Sequence, residues 1–228
     1  MKKLLISIFS ITVLTASTWQ NIQSAEATQT KLDMVSSNID HSIIEFNLDG
    51  FHLVPVTTAA GEMYLARLED GASLLEMGAP DMHKFARSIV IPDDKKMAVK
   101  VVSSEFVEYK DVLIAPSKGN LSRLIDPSDA PYEFGSVYQN DSFFPGNLAK
   151  LESPYILRDL RGQSIVFYPF QYNPVQKVLR VYRNIHVEVS AVGTGTVNVL
   201  TRASTQPKYS REYVNIYDNH FLNFSNDT

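Results

Sequence analysis

The side chains that could run nucleophilic or acid–base chemistry are few and scattered. The 228-residue chain has no cysteine, which excludes a cysteine nucleophile, a thiolate zinc site and a disulfide framework within it. Serine or threonine catalysis needs a hydroxyl beside a base that a third group orients. His41, His52, His83, His186 and His220 stand apart, and no G-x-S-x-G, H-E-x-x-H or phosphate-binding G-x-x-x-x-G-K-[ST] motif occurs. Asp126 and Asp129 match a glycosidase pair only in number, because Asp126-Pro127-Ser128-Asp129 is first a turn sequence. They and Asp93/Asp94 are loop carboxylates of the kind that can hold calcium in β-sandwiches, but nothing here requires a metal or a cofactor. Asn120, Asn140, Asn223 and Asn226 begin N-x-[ST] triplets, which matter only in a glycosylating host.

The elements that would position any site are strands. Hydrophobic residues make up 44% of the chain and charged residues 20%, enough apolar content for one buried core and too little charge for a disordered protein. A net charge of −4 argues against nucleic acid as partner, since binding it needs a concentrated basic face. The dominant hydrophobic period is two. Ile43 to Leu48, Met63 to Leu68, Ser88 to Ile91, Met97 to Glu108 and Val112 to Ala115 read as strands, closed by Asp49-Gly50, Pro92-Asp93-Asp94 and Pro116. In Val178 to Val189 the odd positions Leu179, Val181, Ile185, Val187 and Val189 are apolar and Arg183 is the exception. That is the pattern of a half-buried antiparallel strand. Ile165 to Tyr172 is a strand that Pro169 confines to an edge or bulge, joined to the next by a hairpin loop over Tyr172 to Lys177. Only Tyr213, Ile216, Tyr217, Phe221 and Phe224 keep helical spacing. The expected fold is all-β: an antiparallel two-sheet β-sandwich, jelly-roll-like, with a short C-terminal helix.

The N-terminus reads as an export leader. Lys2 and Lys3 precede an apolar run from Leu4 to Ala16, and Ala25-Glu26-Ala27 offers an A-x-A cleavage site. The run is shorter than a membrane span needs, so the expectation is a signal peptide over 1–27 and no span after its removal. Residues 28–40 read as a loose polar arm, and 41–228 as one domain.

One loop stands out. Between Pro116 and Pro131 the composition is that of a turn region, yet Leu121, Leu124 and Ile125 surround the lone Arg123. Loops this long are often functional, and apolar residues on them either tuck under or meet a partner. From the residues alone, a packed loop with a solvated arginine stays the plainer reading. A secreted carbohydrate- or surface-binding module remains the alternative for the whole chain.

Over residues 97 to 190, roughly, the chain resembles the prodomain of the arginine-specific gingipains, cysteine proteases of the C25 family. The resemblance is carried by Asp111 to Gly119 (DVLIAPSKG), Ser122-Arg123, Pro131-Tyr132, Gly135, Tyr138 and Phe143 to Gly146. It continues through Ile156 to Asp159, Arg161-Gly162-Gln163, Gln171 to Val175 and Leu179 to Tyr182, with Val101 to Phe106 upstream. The resemblance implies a non-catalytic zymogen prodomain that assists folding of a cognate arginine-specific C25 protease domain and keeps it latent. It implies that a loop arginine enters the S1 specificity pocket of the protease, and the matching position is Arg123. Ser122, Leu121 and Leu124 would flank it, with Lys118 the nearest alternative anchor. It further implies passage through the periplasm, then secretion or display at the cell surface with the protease. Prodomains of this type end in an arginine; here the last residues are Asn226-Asp227-Thr228 and the nearest arginines are Arg202 and Arg211.

Overall fold

A computed structural model of the chain describes residues 17–201, 209 and 211–224. Thirteen strands follow one another: β1 (Thr18–Asn21), β2 (Lys31–Ser37), β3 (His41–Asn47), β4 (Gly50–Thr58), β5 (Gly61–Arg67), β6 (Ala72–Ser73), β7 (His83–Val90), β8 (Lys95–Lys110), β9 (Ala149–Leu151), β10 (Tyr155–Leu157), β11 (Leu160–Phe167), β12 (Phe170–Asn173) and β13 (Val178–Thr194). The helix α1 (Arg211–His220) closes the chain. Every strand pairing is antiparallel, and the pairings divide into three sheets. One has the order β1-β4-β5, one β10-β11-β7-β6 with β9 also on β11, and one β12-β13-β3-β2 with β8 along the other side of β13. The expected all-β antiparallel fold with a short C-terminal helix is therefore what the chain forms, with its strands divided among three sheets where two were expected.

The period-two pattern explains where the core lies. Leu179, Val181, Ile185, Val187 and Val189 are all fully buried, as their alternation requires. The apolar face breaks at Arg183, and there the β13–β8 register shifts between Tyr182 and Asn184. An extra residue in one strand is how a bulge accommodates a side chain that cannot face inward. Phe46 of β3 stacks on Phe167 of β11 with centroids 5.3 Å apart and meets Phe85 of β7 edge-on at 6.1 Å. Phe51 of β4 packs against Phe170 of β12 and Tyr109 of β8. These aromatic contacts join all three sheets into one core.

Two expectations are corrected, and the expected leader meets a strand. The segment read as a loose arm, 28–40, contains β2, whose Leu32 and Met34 pack partly buried against the core while the strand pairs with β3. Its two apolar positions are too short a run to stand out among polar neighbours. The leader read as 1–27 overlaps β1, which pairs with β4 from Thr18↔Leu53 to Asn21↔Gly50. Trp19 donates through Nε1 to the Ser24 carbonyl at 2.9 Å and lies flat enough on Gly50 that a β-carbon there would sit 2.2 Å from its ring. A cut after Ala27 would remove this strand; residues 1–16 lie outside the described ones. Finally, Ile165 to Tyr172 is two strands, not one: the chain leaves its sheet at Tyr168-Pro169, and β12 joins the sheet of β13.

α1 buries Tyr217 and, just past its end, Phe221 against Leu160. Phe221 bridges to Ser88, and Asn223 accepts from the Val90 amide at 2.7 Å and donates back to its carbonyl at 2.9 Å. That amide is thus committed within the fold. No helix among the described residues is long and apolar enough to cross a membrane.

Candidate functional site: an arginine-tipped loop

The loop that carries Arg123 grows from a tightly bonded base. Ile114 bridges to Tyr64 and Pro116 to Pro80. The Ser117 amide donates to the Ala79 carbonyl at 2.7 Å, and Tyr138 donates its hydroxyl to the Ile114 carbonyl at 2.7 Å. Burial pushes the Tyr138 hydroxyl well above the ordinary phenol range, so it stays a donor. One residue clasps both ends of the loop. The Gly78 amide donates to Ser117 O and the Gly78 carbonyl accepts from the Gly135 amide, each at 2.9 Å. Gly78 has φ +77°, and a β-carbon on it would lie 2.9 Å from the Gly135 nitrogen, so glycine is required twice over.

Within this frame two turns shape the tip. The Ile125 amide donates to the Ser122 carbonyl at 3.0 Å, a β-turn with Arg123 and Leu124 at its centre. The Ser122 hydroxyl accepts from the Leu124 amide at 3.3 Å, which fixes the turn from inside. Asp126 then accepts the Ser128 amide and hydroxyl on one oxygen, at 2.8 and 2.7 Å. Those bonds hold its carboxyl below the usual range. Its role is local: it shapes the return of the loop.

Lys118 ties the two limbs together. Its ammonium donates to the Pro127 carbonyl at 2.7 Å and lies 4.1 Å from the centre of the Tyr132 ring. Leu121 is half-buried and lines a cavity of about 160 Å³ with Met77, Ser117, Lys118, Ala130, Pro131 and Glu133. Leu124 is 96% exposed. Arg123 is exposed and makes no hydrogen bond, ion pair or ring contact among the described residues.

The other described arginines differ. Arg67 pairs with Asp81 at 2.9 Å and Arg180 with Glu108 at 2.9 Å, the latter under the Phe143 ring at 3.6 Å. Arg183 pairs with Glu105, and Arg158 pairs with Asp159 and lies over Tyr213. Arg161 is almost wholly buried and donates to four backbone carbonyls. Arg87 sits exposed within the paired part of β7. Arg202 and the side chain of Arg211 lie outside the described residues.

The structure separates the five site residues expected from sequence into two groups. Arg123, Ser122 and Leu124 are displayed at the tip; Lys118 and Leu121 fasten the tip to the domain. The Glu76–Ala79 turn, which holds Gly78, was missed. Its only sequence signal is Met77-Gly78 ahead of a proline two residues later. The histidines do not converge, and no group of three or more His, Asp or Glu among the described residues could hold a metal.

What the fold and loop define is a small all-β module that displays an unpaired guanidinium at a loop tip and carries no catalytic constellation among the described residues. The chain belongs to the C25 propeptide family: the family profile described as Propeptide_C25 matches residues 23–226. It is 38% identical over 200 residues to Gingipain R1 of Porphyromonas gingivalis, a match covering 88% of this chain and 19% of that protein. Against Gingipain R2 of the same species it is 39% identical over 191 residues, covering 84% and 26%. It therefore spans roughly a fifth to a quarter of the length of these relatives. Among solved structures it superposes on a chain from the complex of Porphyromonas gingivalis RgpB pro- and mature domains with a TM-score of 0.76 and 38% identity. That match covers 84% of this chain and 96% of the other. The zymogenic gingipain K structure, at 21% identity and a TM-score of 0.66, shares the fold. The chain is a propeptide domain and not itself the enzyme.

Proposed function

We propose that this propeptide inhibits, and assists the folding of, a secreted arginine-specific C25 cysteine protease, with Arg123 occupying the S1 pocket of the mature domain. The observation that carries the reading is the state of Arg123. Of the described arginines on irregular backbone, it is the one at a turn apex with no partner among the described residues. Guanidinium is always charged and presents a planar fork that a carboxylate accepts with two parallel bonds, which ammonium cannot copy. A pocket acid would complete it.

Latency requires that the loop bind without being released as product. The Gly78 clasp and the Lys118 tie hold both limbs, so the tip needs little ordering on binding, and cut ends would stay in register. The relation to gingipains R1 and R2 supports an arginine-specific partner. Export belongs to the same reading, with the leader ending upstream of Thr18 so that β1 remains with the domain. Of the aromatic side chains that a carbohydrate-binding alternative would use, Phe170, Tyr172 and Tyr182 are buried and Phe143 is covered by Arg180.

The test is inhibition of an arginine-specific gingipain by the separate domain. Arg123→Ala is expected to weaken it by roughly 2–5 kcal/mol, the range for truncating one partner of a desolvated charge pair. Equal inhibition by parent and variant would overturn the assignment.

A further inference from the structure

The turn that clasps the loop also displays apolar side chains of its own. The Ala79 amide donates to the Glu76 carbonyl at 3.1 Å, which places Met77 and Gly78 at the centre of a turn. Met77 is 68% exposed, although its stem packs on Gly119, where a β-carbon would lie 3.0 Å away. Two residues earlier, Leu75 is 49% exposed and holds φ +57°. A leucine in the left-handed region is unfavourable, and asparagine or glycine would adopt it at less cost. An exposed apolar side chain on strained backbone at the foot of a functional loop calls for an explanation outside the domain.

The two turns mirror each other. Each shows one large side chain at its first central position, Met77 on one and Arg123 on the other. They are joined through Gly78, Ser117 and Gly119, and Met77 of one turn lines the same cavity as Leu121, the residue before the other turn. Leu124, next to the arginine in the same turn, is a further exposed apolar side chain.

The geometry points to a second docking lip, Leu75 and Met77, that seats on an apolar rim of the mature protease domain beside the pocket that takes Arg123. The inference rests on the Arg123 reading, because continuity with that loop identifies the occupant. The lip and Leu124 exclude water from the ion pair, as the apolar ring around a binding hot spot does.

The experiment compares three forms of the whole chain as inhibitors of an arginine-specific gingipain: Leu75→Asn/Met77→Gln, Met77→Leu and Arg123→Ala. Both positions in the double variant are exposed and asparagine suits the Leu75 backbone, so its melting temperature should equal or exceed that of the parent. Its inhibition constant should rise roughly ten- to a hundredfold, the effect of losing one or two buried apolar contacts. Met77→Leu should inhibit like the parent. If the double variant inhibits fully while Arg123→Ala does not, the lip is overturned and the arginine reading stands. If the double variant weakens and Arg123→Ala does not, the surface is supported but the arginine reading falls. Unchanged inhibition by both removes both.

Discussion

Arg123 and Arg161 are the same residue type in opposite service. Arg161, on β11, points into the domain, and every donor group of its guanidinium meets a backbone carbonyl: Nε the Asn198 carbonyl at 2.8 Å, Nη1 those of Pro92 and Lys95 at 2.7 Å, and Nη2 that of Val197 at 2.9 Å. Burial pulls its pKa down, and Asp93 and Asp94 oppose the shift. The result is a rivet that fastens the 92–95 turn to the segment leaving β13, where Gly195 donates to Asp94 O and Leu200 to Asp93 O. Arg123 meets no partner among the described residues. The fork that satisfies four carbonyls in one place is kept unsatisfied in the other, and only the surrounding backbone decides which. An arginine saturated by its own chain is structure; one held rigidly without acceptors is presented to something else.

The sharpest way to break this comparison is Arg161→Ala. Four carbonyls would lose a charged donor, and the expected loss is roughly 3–5 kcal/mol of stability, seen as a large fall in melting temperature. A change under about 0.5 kcal/mol, the usual surface value, would show that Arg161 is no rivet.

Acid separates a guanidinium that does not titrate from an imidazole that does. His83 is held down to about 4 from an ordinary 6.5, first by burial and then by the nearby Arg67. Its Nδ1 accepts the Leu68 amide at 3.1 Å, a bond that only the unprotonated nitrogen can make. Because the folded pKa lies below the unfolded one, the unfolded chain takes up the proton first. The contribution of His83 is complete above about pH 6.5 and is lost as pH falls toward 4. Denaturation midpoints should decline across that window, and His83→Asn, which keeps an acceptor, should flatten the decline. A parent profile flat from pH 7 to 4 would refute the role given to His83.

The smallest effect sharpens the tip itself. Lys118→Ala removes one charged hydrogen bond and one ring contact at a partly exposed site, about 0.5–1.5 kcal/mol. Inhibition should weaken by that factor while arginine specificity is retained. A loss as large as that of Arg123→Ala would make Lys118 the anchor instead.

Sequence made some of this legible and hid the rest for physical reasons. The alternation from Leu179 to Val189 predicts the central strand, and its one flaw, Arg183, coincides with the bulge. The spacing of Tyr213, Tyr217 and Phe221 predicts the helix and its buried side. Arg123 is singled out by its loop but receives a role only through family resemblance, since a lone exposed arginine has no periodicity. The partners of Arg161 are main-chain carbonyls, which every residue possesses, so no residue type at 92, 95, 197 or 198 could announce them. Gly78 escapes for the same reason: its clasp is made of its own amide and carbonyl. The pairing of β1 is not legible because its four residues lie inside the segment that the A-x-A at 25–27 marks as a leader.

The most direct measurement of the central claim is competition with benzamidine, a small amidinium that fills an arginine-reading S1 pocket. Binding of the parent domain to an arginine-specific gingipain should weaken in proportion to added benzamidine, and the residual binding of Arg123→Ala should not change. Parent binding that is indifferent to benzamidine, or a variant displaced just as readily, would contradict the placement of Arg123 in that pocket.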